Sequence, residues 1–332
     1  MTPTPSRRSA LQLGGALAAA SAYPALLANA QAQSSWPSKP IRLLVPFAPG
    51  GSSEIVARSA AIALSKSLGQ TVFVDNKPGA SGNIAMHECA TSTDGHTLIL
   101  GHIGTFAVNP FIFGKLPFDT NKDFQPISLL AKVPSLYVVN ANVPAKNLKE
   151  FIALAKSKPG KLNYGSAGNG SAGHLAFEYL KMMADIFVLH VPYRGTGPQL
   201  TDLLGGRLEA AAVGAPAVLS HIKSGKLRCI ATGSKERLPQ LPDVPTVAES
   251  GYPGFEMTQW YGLNAPVSMP LEAIAKIADA CSKAMSNPQT TERLRADTAQ
   301  PIGDTPAQYA AFIKTEQAQW KLVAARAKIT PD

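Results

Sequence analysis

Short apolar runs that alternate with amphipathic segments constrain this chain more than any other feature. The run "IRLLVPF" leads through "APGGSS" into the helical pattern "EIVARSAAIALSKSLG". The same order recurs along the chain, for example in "TVFVDN" before "IAMHECATS" and in "FVLHVP" before "LTDLLGG". Alternation of strands and helices builds parallel or mostly parallel sheets with helices on both faces. The pattern therefore predicts an α/β protein.

The C-terminal part has two apolar stripes at helical spacing. The stripes consist of Leu271, Ile274, Ala278, Cys281 and Met285, and of Tyr309, Phe312, Ile313, Trp320 and Val323. Thr305 or Asp304 is the expected cap, because Pro306 follows in the first turn. We expect these helices to return to the first lobe, so that the chain crosses between lobes near residues 133–140 and 259–265. The predicted lobes are 33–134 with 260–332, and 135–259.

The N-terminus has the features of a secretory signal peptide over residues 1–32. Arg7 and Arg8 precede an apolar run, and "ANAQAQ" offers cleavage after Ala30 or Ala32. Pro24 breaks the run, which is too short for a stable membrane span. Both the general secretory and the twin-arginine routes are compatible with "SRRSAL", so we expect a periplasmic protein.

Charge and cysteine content exclude several classes. The net charge is +9, but the Lys and Arg residues are scattered rather than clustered among aromatic residues, so nucleic acid is not an expected partner. Each of the three cysteines, Cys89, Cys229 and Cys281, lies in an apolar run and is expected to be a buried thiol. His87 with Cys89, or His96 with His102, lacks the spacing of a zinc site, so no metal is expected.

Four loops between predicted strands and helices share one chemical character. They span residues 46–54, 101–105, 165–174 and 193–199, and they are rich in glycine and hydroxyl groups. Arg194 is the only Lys or Arg residue among them. Helix starts present backbone N–H groups and a partial positive charge, so such loops can bind an anion without a cationic side chain. Two of them across a cleft could hold both ends of a small carboxylate.

The spacing Gly168-x-Gly170-x-x-Gly173 leaves a second interpretation open. A dinucleotide-binding turn also needs an acidic residue after the next strand, where this chain has Tyr193 and Arg194. An arginine there could accept a 2′-phosphate, so an exported nicotinamide-dependent oxidoreductase is the alternative. Ser166 and Ser171 lack the Gly-x-Ser-x-Gly context of a hydrolase nucleophile, and no carboxylates pair in the loops. We therefore expect no catalytic residue and no cofactor. For His174, packing or capping in the first helical turn is favoured over ligand contact.

Six segments in order resemble the periplasmic solute-binding receptors of tripartite tricarboxylate transporters, the Bug receptors. They are "PIRLLVPFAPGGSSEIVAR", "DNKPGASGNIA", "TDGHTLILG", "YGSAGNGSAGHLAFE", "VPYRGTGPQLTDLLGGRLEA" and "LPDVPTVAESGYPGFE". The resemblance implies a two-lobed, type II-like periplasmic-binding fold with a ligand cleft between the lobes. It also implies a small carboxylate as ligand, membrane permease subunits as partners, a monomer, and no enzymatic activity. A carboxylate-sensing module for a signalling partner is a further alternative.

The resemblance also implies which residues contact the ligand. By position they are Phe47, Pro49, Gly50, Gly51, Ser52, Ser53, Glu54, Thr105, Asn109, Ser166, Ala167, Gly168, Asn169, Ser171, Tyr193, Arg194 and Gly195. The family usually has Asp where this chain has Glu54. Many relatives also carry an acidic residue after the strand that matches "LEAAAVG", and its absence here disfavours an amino-acid ligand.

Overall fold

A computed structural model describes residues 36–330, and the predicted signal peptide lies outside this range. Residues 39–330 belong to one compact unit. Its strands are β1 Ile41–Val45, β2 Val72–Asn76, β3 Thr97–His102, β4 Phe124–Asn140, β5 Asn163–Ser166, β6 Leu189–Pro192, β7 Ala210–Gly214, β8 Leu227–Thr232, β9 Thr258–Pro266 and β10 Gln300–Pro301.

Helices connect most of these strands. They are α1 Ser52–Leu68, α2 Asn83–Ala90, α3 Asn109–Ile112, α4 Leu148–Ser157, α5 Ala172–Ala184, α6 Thr196–Leu204, α7 Ala215–Lys223, α8 Leu271–Ser286, α9 Pro288–Ala296 and α10 Pro306–Arg326. A 3₁₀ turn, Ala80–Gly82, precedes α2, and a π-helical turn, Ile103–Val108, precedes α3. Within 36–330, none of these helices is both long enough and apolar enough to cross a membrane.

The sheet is mixed, in the order β2-β1-β3-β9-β4-β7-β5-β6, with β8 and β10 also paired to β4. Strands β1, β2 and β3 pair in parallel, as do β5, β6 and β7. The central strands β4 and β9 run antiparallel to their neighbours. The α/β prediction is confirmed, and the antiparallel centre adds to it a feature that alternation alone does not contain.

Strand β4 joins the two halves of the sheet. Its first part pairs with β9 as far as Pro134, opposite Thr258. From Ser135 onward it pairs with β7 and β8. The strands β2-β1-β3 on one side and β7-β5-β6 on the other, each set paired in parallel, give the two-lobed architecture that was predicted. The lobe boundaries at 134/135 and 259/260 stay predictions.

Local sequence signals account for several details of the packing. Thr305 is the N-cap of α10 and accepts a hydrogen bond from the Gln308 amide at 3.3 Å, as predicted. The three cysteines are buried free thiols, also as predicted. Leu271 was expected in the buried stripe of α8, but it is 76 % exposed. As the first residue of the helix it extends beyond the packed surface, and Ala273 and Ile277 are buried instead.

Candidate ligand-binding site

The first turns of four helices converge on one cavity at the carboxyl ends of the strands. Helix α1 begins at Ser52 and α6 begins at Thr196. Gly173 lies in the first turn of α5, and Gly214 directly precedes α7. The cavity is lined by Phe47, Ser52, Ser53, His102, Ala167, Ser171, Ala172, Gly173, Thr196, Gln199, Ala212, Val213, Gly214, Gln259 and Tyr261. Lys, Arg, Asp and Glu are absent from this lining, as far as residues 36–330 define it. Backbone dipoles therefore dominate its electrostatics.

Three of these helices begin without a side-chain cap. The N-cap residues of α1, α6 and α7 are Gly51, Gly195 and Gly214, and none makes a side-chain capping bond. The N–H groups of a first helical turn have no partner inside the helix, so they need a capping side chain, water or a ligand. In α5 the Ser171 hydroxyl accepts from the His174 amide at 3.4 Å, which leaves the two preceding amides uncapped. The site is thus rich in donors for an anion.

Side chains add further polar groups. Among residues 36–330, Ser52 Oγ makes no hydrogen bond of good geometry, although the residue is only 3 % exposed and its hydroxyl is close enough to that of Tyr261 to interact weakly with it. The Tyr261 hydroxyl donates to Gln259 Oε1 at 2.7 Å. Burial raises the pKa of Tyr261, and the nearby Ser52 hydroxyl lowers it by a smaller amount. Tyr261 therefore stays protonated, and the Ser52 hydroxyl can donate to a ligand.

His102 contributes an aromatic and neutral wall. Its ring packs edge-to-face on Phe47, with ring centroids 4.9 Å apart, and lies 5.7 Å from the Tyr261 ring. Its Nδ1 accepts from the Gly104 amide at 2.9 Å, so the neutral ring carries its proton on Nε2. Burial lowers the pKa of His102 to about 3. This histidine therefore acts near neutral pH as a dipole and not as a cation.

The cavity is closed by direct contact between the first and fourth loops. The Ala48 amide donates to the Arg194 carbonyl at 3.3 Å. A Cβ on Gly195 would lie 2.8 Å from the Ala48 nitrogen, and a Cβ on Gly51 would lie 2.8 Å from Thr196 Oγ1. The cavity has a volume of ≈ 30 Å³, whereas small-molecule sites occupy about 300–1,000 Å³. The loops must separate before an organic ligand can enter or fit.

The Gly-rich loop uses its own amides internally. Gly168 N–H donates to Ser166 Oγ at 3.1 Å, and Gly170 N–H donates to His174 Nδ1 at 3.0 Å. Ser166 Oγ also lies 2.6 Å from His190 Nε2. These bonds occupy the amides that a dinucleotide-binding turn would offer to a pyrophosphate. His174 accepts a hydrogen bond from the loop in the first turn of α5, in agreement with the packing or capping role predicted for it.

The two histidines behind this loop are stacked and neutral. The rings of His174 and His190 lie 4.0 Å apart and nearly parallel. Burial lowers the pKa of His174 to about 4, with a smaller contribution from Lys181. Burial, followed by His174, lowers the pKa of His190 to about 3. Neither histidine lines the cavity, and each contacts the loop, His174 through Gly170 and His190 through Ser166.

The structure brings part of the predicted site together. Phe47, Ser52, Ser53, Ala167 and Ser171 line the cavity. The nearby glycines at 50, 51 and 195 form the contact that closes it. In the same region Pro49 approaches Gly197 through its carbonyl oxygen. Contact of these residues with a ligand stays a prediction.

Other predicted residues lie outside the cavity lining and support the loops. Glu54 accepts from the Gly50 amide at 2.7 Å and pairs with Arg58. Thr105 Oγ1 bonds to the His102 backbone, and Asn109 Nδ2 donates to the Ser81 carbonyl at 3.0 Å.

The remaining predicted residues surround the Gly-rich loop. Tyr193 donates to Asp202 at 2.7 Å, and its amide donates to the Ser166 carbonyl at 3.0 Å. Arg194 is exposed, and Asn169 lines a separate cavity with His174. Within 36–330 no cluster of three or more His, Cys, Asp or Glu residues could hold a metal ion.

Sequence reasoning missed the contributions of β7 and β9. Gln259 and Tyr261 are polar residues in a buried strand, and that combination is a signal that could have been used. Gly214 is the last residue of β7 and directly precedes α7, which is the strand–glycine–helix order of the other loops. Its loop lacks Ser and Thr, so it does not share the hydroxyl-rich pattern of the four predicted loops. His102 and Gln199 also line the cavity.

A two-lobed α/β fold with an uncharged cleft lined by helix N-termini defines a solute-binding protein of the periplasmic type. The model of the family described as "Tripartite tricarboxylate transporter family receptor" matches residues 56–328. The chain belongs to this family, as the six sequence segments predicted.

Individual relatives agree with this assignment. Protein BugT of Bordetella pertussis is 36 % identical over 288 residues, which cover 86 % of this chain and 88 % of BugT. The solved structure of R. palustris Rpa4515 with adipate has a TM-score of 0.86 and 34 % identity, covering 90 % of this chain and 100 % of that one. MatC of Rhodopseudomonas palustris with bound malate has a TM-score of 0.82 and 34 % identity, covering 87 % and 99 %.

Proposed function

We propose that this protein is an extracytoplasmic receptor that captures a small dicarboxylate and delivers it to the membrane subunits of a tripartite tricarboxylate-type transporter. One observation carries the proposal: four helix N-termini, three of them uncapped, meet at a cavity whose lining, among residues 36–330, contains no Lys or Arg. Oriented N–H groups in a buried site bind carboxylates through charge-assisted hydrogen bonds. Ligand-bound relatives with adipate and malate support the same chemical class.

Capture proceeds by closure of the two lobes. The open cleft admits the carboxylate, and the contact between Ala48 and Arg194 forms as the lobes close. Closure removes water and strengthens each hydrogen bond to the charged ligand. The proposed hinge lies at the two crossings near 134/135 and 259/260. No bond of the ligand changes during this cycle.

The proposed location is the periplasm, because residues 1–32 have the pattern of a cleaved signal peptide. A carboxylate-sensing role would use the same site with a different partner. The nicotinamide alternative is disfavoured by the internal bonds of Gly168 and Gly170.

A thermal-shift screen tests the proposed ligand class. The purified mature protein is heated with malate, adipate, succinate, citrate, nicotinate, glutamine or NADH, and hits are measured by calorimetry. A ligand that binds only the folded state raises the melting temperature. We expect dicarboxylates to raise it and NADH to leave it unchanged. Stabilisation by NADH alone, or by none of the acids, would contradict the proposal.

A further inference from the structure

A second and larger groove lies on the outer surface of the first lobe, between α1, α8 and α9. We call it the α1–α8–α9 groove; its volume is ≈ 590 Å³. The residues used below are Ile62, Ala63, Lys66, Lys283, Glu292 and Arg293, all of which line it. This groove remains open, whereas the ligand cavity is closed.

The groove combines an apolar floor with a cationic rim. Ile62 is 59 % exposed and lies beside Ala63 in the lining, so the groove presents apolar surface to solvent. Lys66, Lys283 and Arg293 are exposed around it, and Glu292 is the one acid in the lining defined by residues 36–330. An apolar strip between cations complements a helix with one apolar face and acidic flanks.

The cations keep most of their charge available for a partner. Lys283 pairs with Asp279 at 2.6 Å, but both side chains are more than half exposed. Exposed pairs of this kind contribute little to stability, so a partner can replace Asp279 at little cost. The groove therefore attracts an acidic segment more strongly than a neutral or basic one.

Helix α1 links the groove to the ligand site. Its first turn carries Ser52 and Ser53 in the ligand cavity, and its last turns carry Ile62 and Lys66 in the groove. A rise of about 1.5 Å per residue places the two ends about 20 Å apart. A partner in the groove would hold the first lobe through the same rigid helix that binds the ligand, without touching the ligand.

We propose that the α1–α8–α9 groove is the surface that docks an acidic amphipathic helix of the transporter's membrane subunits. This inference rests on the proposed function for the identity of the partner. The groove supplies the site, its charge supplies the preference for acidic flanks, and Ile62 supplies the apolar anchor.

The test uses the mature protein with charge-reversed surfaces. The groove variant is Lys66→Glu, Lys283→Glu and Arg293→Glu. The matched control is Lys149→Glu, Lys156→Glu and Lys223→Glu, three exposed lysines on α4 and α7. A further variant, Ile62→Asp, tests the apolar floor. Binding is measured by co-sedimentation with proteoliposomes that contain the two membrane subunits of the same organism, and with the lipid vesicles alone. Malate affinity is measured by calorimetry in parallel.

We expect the groove variant and Ile62→Asp to bind the proteoliposomes at least about tenfold more weakly, while the control binds as the unchanged protein does. All four proteins should bind malate equally. The inference would be overturned if the groove variant and the control lost proteoliposome binding to the same extent. It would also be overturned if the unchanged protein bound lipid vesicles without the subunits as well as it bound the proteoliposomes. If the unchanged protein bound none of the acids in the thermal-shift screen, that result would instead contradict the proposed function. The comparison of the variants on proteoliposomes would still decide whether the groove is the docking surface.

Discussion

The Ala48 amide donates a hydrogen bond of 3.3 Å to the Arg194 carbonyl, and this bond joins the loop before α1 to the loop before α6. Both residues act through the backbone, so the contact needs close approach of the chains and not a particular side chain. Glycine at 195 permits that approach, because its φ of 138° and the nearby Ala48 exclude a Cβ. The cleft can therefore close because glycine, which has no Cβ, occupies the position of closest contact.

Gly51→Val should weaken dicarboxylate binding at least about tenfold, because its side chain would press on Thr196 when the lobes close. The melting temperature of the ligand-free protein should change little, since Gly51 has an ordinary φ of −103°. Calorimetry with malate measures the effect. Gly114→Val is the matched control, because nothing lies within 4 Å of its Cβ position. Equal affinity of Gly51→Val and Gly114→Val would contradict this role.

Ser52→Ala should lower the affinity for malate by about 10- to 100-fold, because it removes a hydroxyl that can donate to the bound carboxylate. Ser59→Ala is the control on the same helix, where the serine is equally buried but lies outside the cavity lining. If both variants bind malate alike, the Ser52 hydroxyl does not contact the ligand.

The stability of the protein should fall as the pH decreases from about 6.5 towards 4. His102, His174 and His190 have pKa values of about 3, 4 and 3 in the folded state, below the ordinary value of 6.5. Between these values the unfolded chain binds more protons, so acid favours unfolding. Each histidine contributes a slope of up to about 1.4 kcal/mol per pH unit.

Urea unfolding at a series of pH values measures this slope. His190→Asn should reduce it relative to the exposed control His87→Asn. Glu178 and Lys181 lie beside the stacked pair and are unchanged in both variants. A free energy of unfolding that is constant from pH 7 to pH 5 would show that the histidines are not held neutral.

Salt should have little effect on dicarboxylate affinity. The donors lie in a cavity whose lining, within 36–330, contains no Lys or Arg, and salt screens long-range attraction more than short buried hydrogen bonds. Calorimetry at about 50 mM and about 500 mM NaCl should give dissociation constants within about threefold of each other. A tenfold loss at high salt would indicate that surface cations supply the affinity.

The sequence predicts the fold class and the loops of the first lobe well, because glycine and hydroxyl residues between a strand and a helix form a short, local pattern. Ser52, Ser53 and, in the second lobe, Ser171 belong to this pattern, whereas Phe47 follows from the family resemblance; all four line the cavity. Tyr261 and Gln259 were not found, because they come from β9, whose position beside β4 depends on pairing between distant parts of the chain.

The local sequence pattern also does not predict the hydrogen-bond partners of individual residues within the loops. By the resemblance Glu54 is expected to contact the ligand, which stays a prediction; in the structure its carboxylate accepts from the Gly50 amide and pairs with Arg58. The pairing of Ser166 with His190 depends on the packing of β5 against β6, which spacing alone does not reveal.

A crystal structure of the protein with malate tests the central claim most directly. We expect a carboxylate of malate to lie within about 3 Å of an amide nitrogen at the start of α1 and of one at the start of α5. The loops holding Ala48 and Arg194 should be in contact over it. Malate bound elsewhere, or a cleft that holds only solvent under conditions where calorimetry shows binding, would contradict the account.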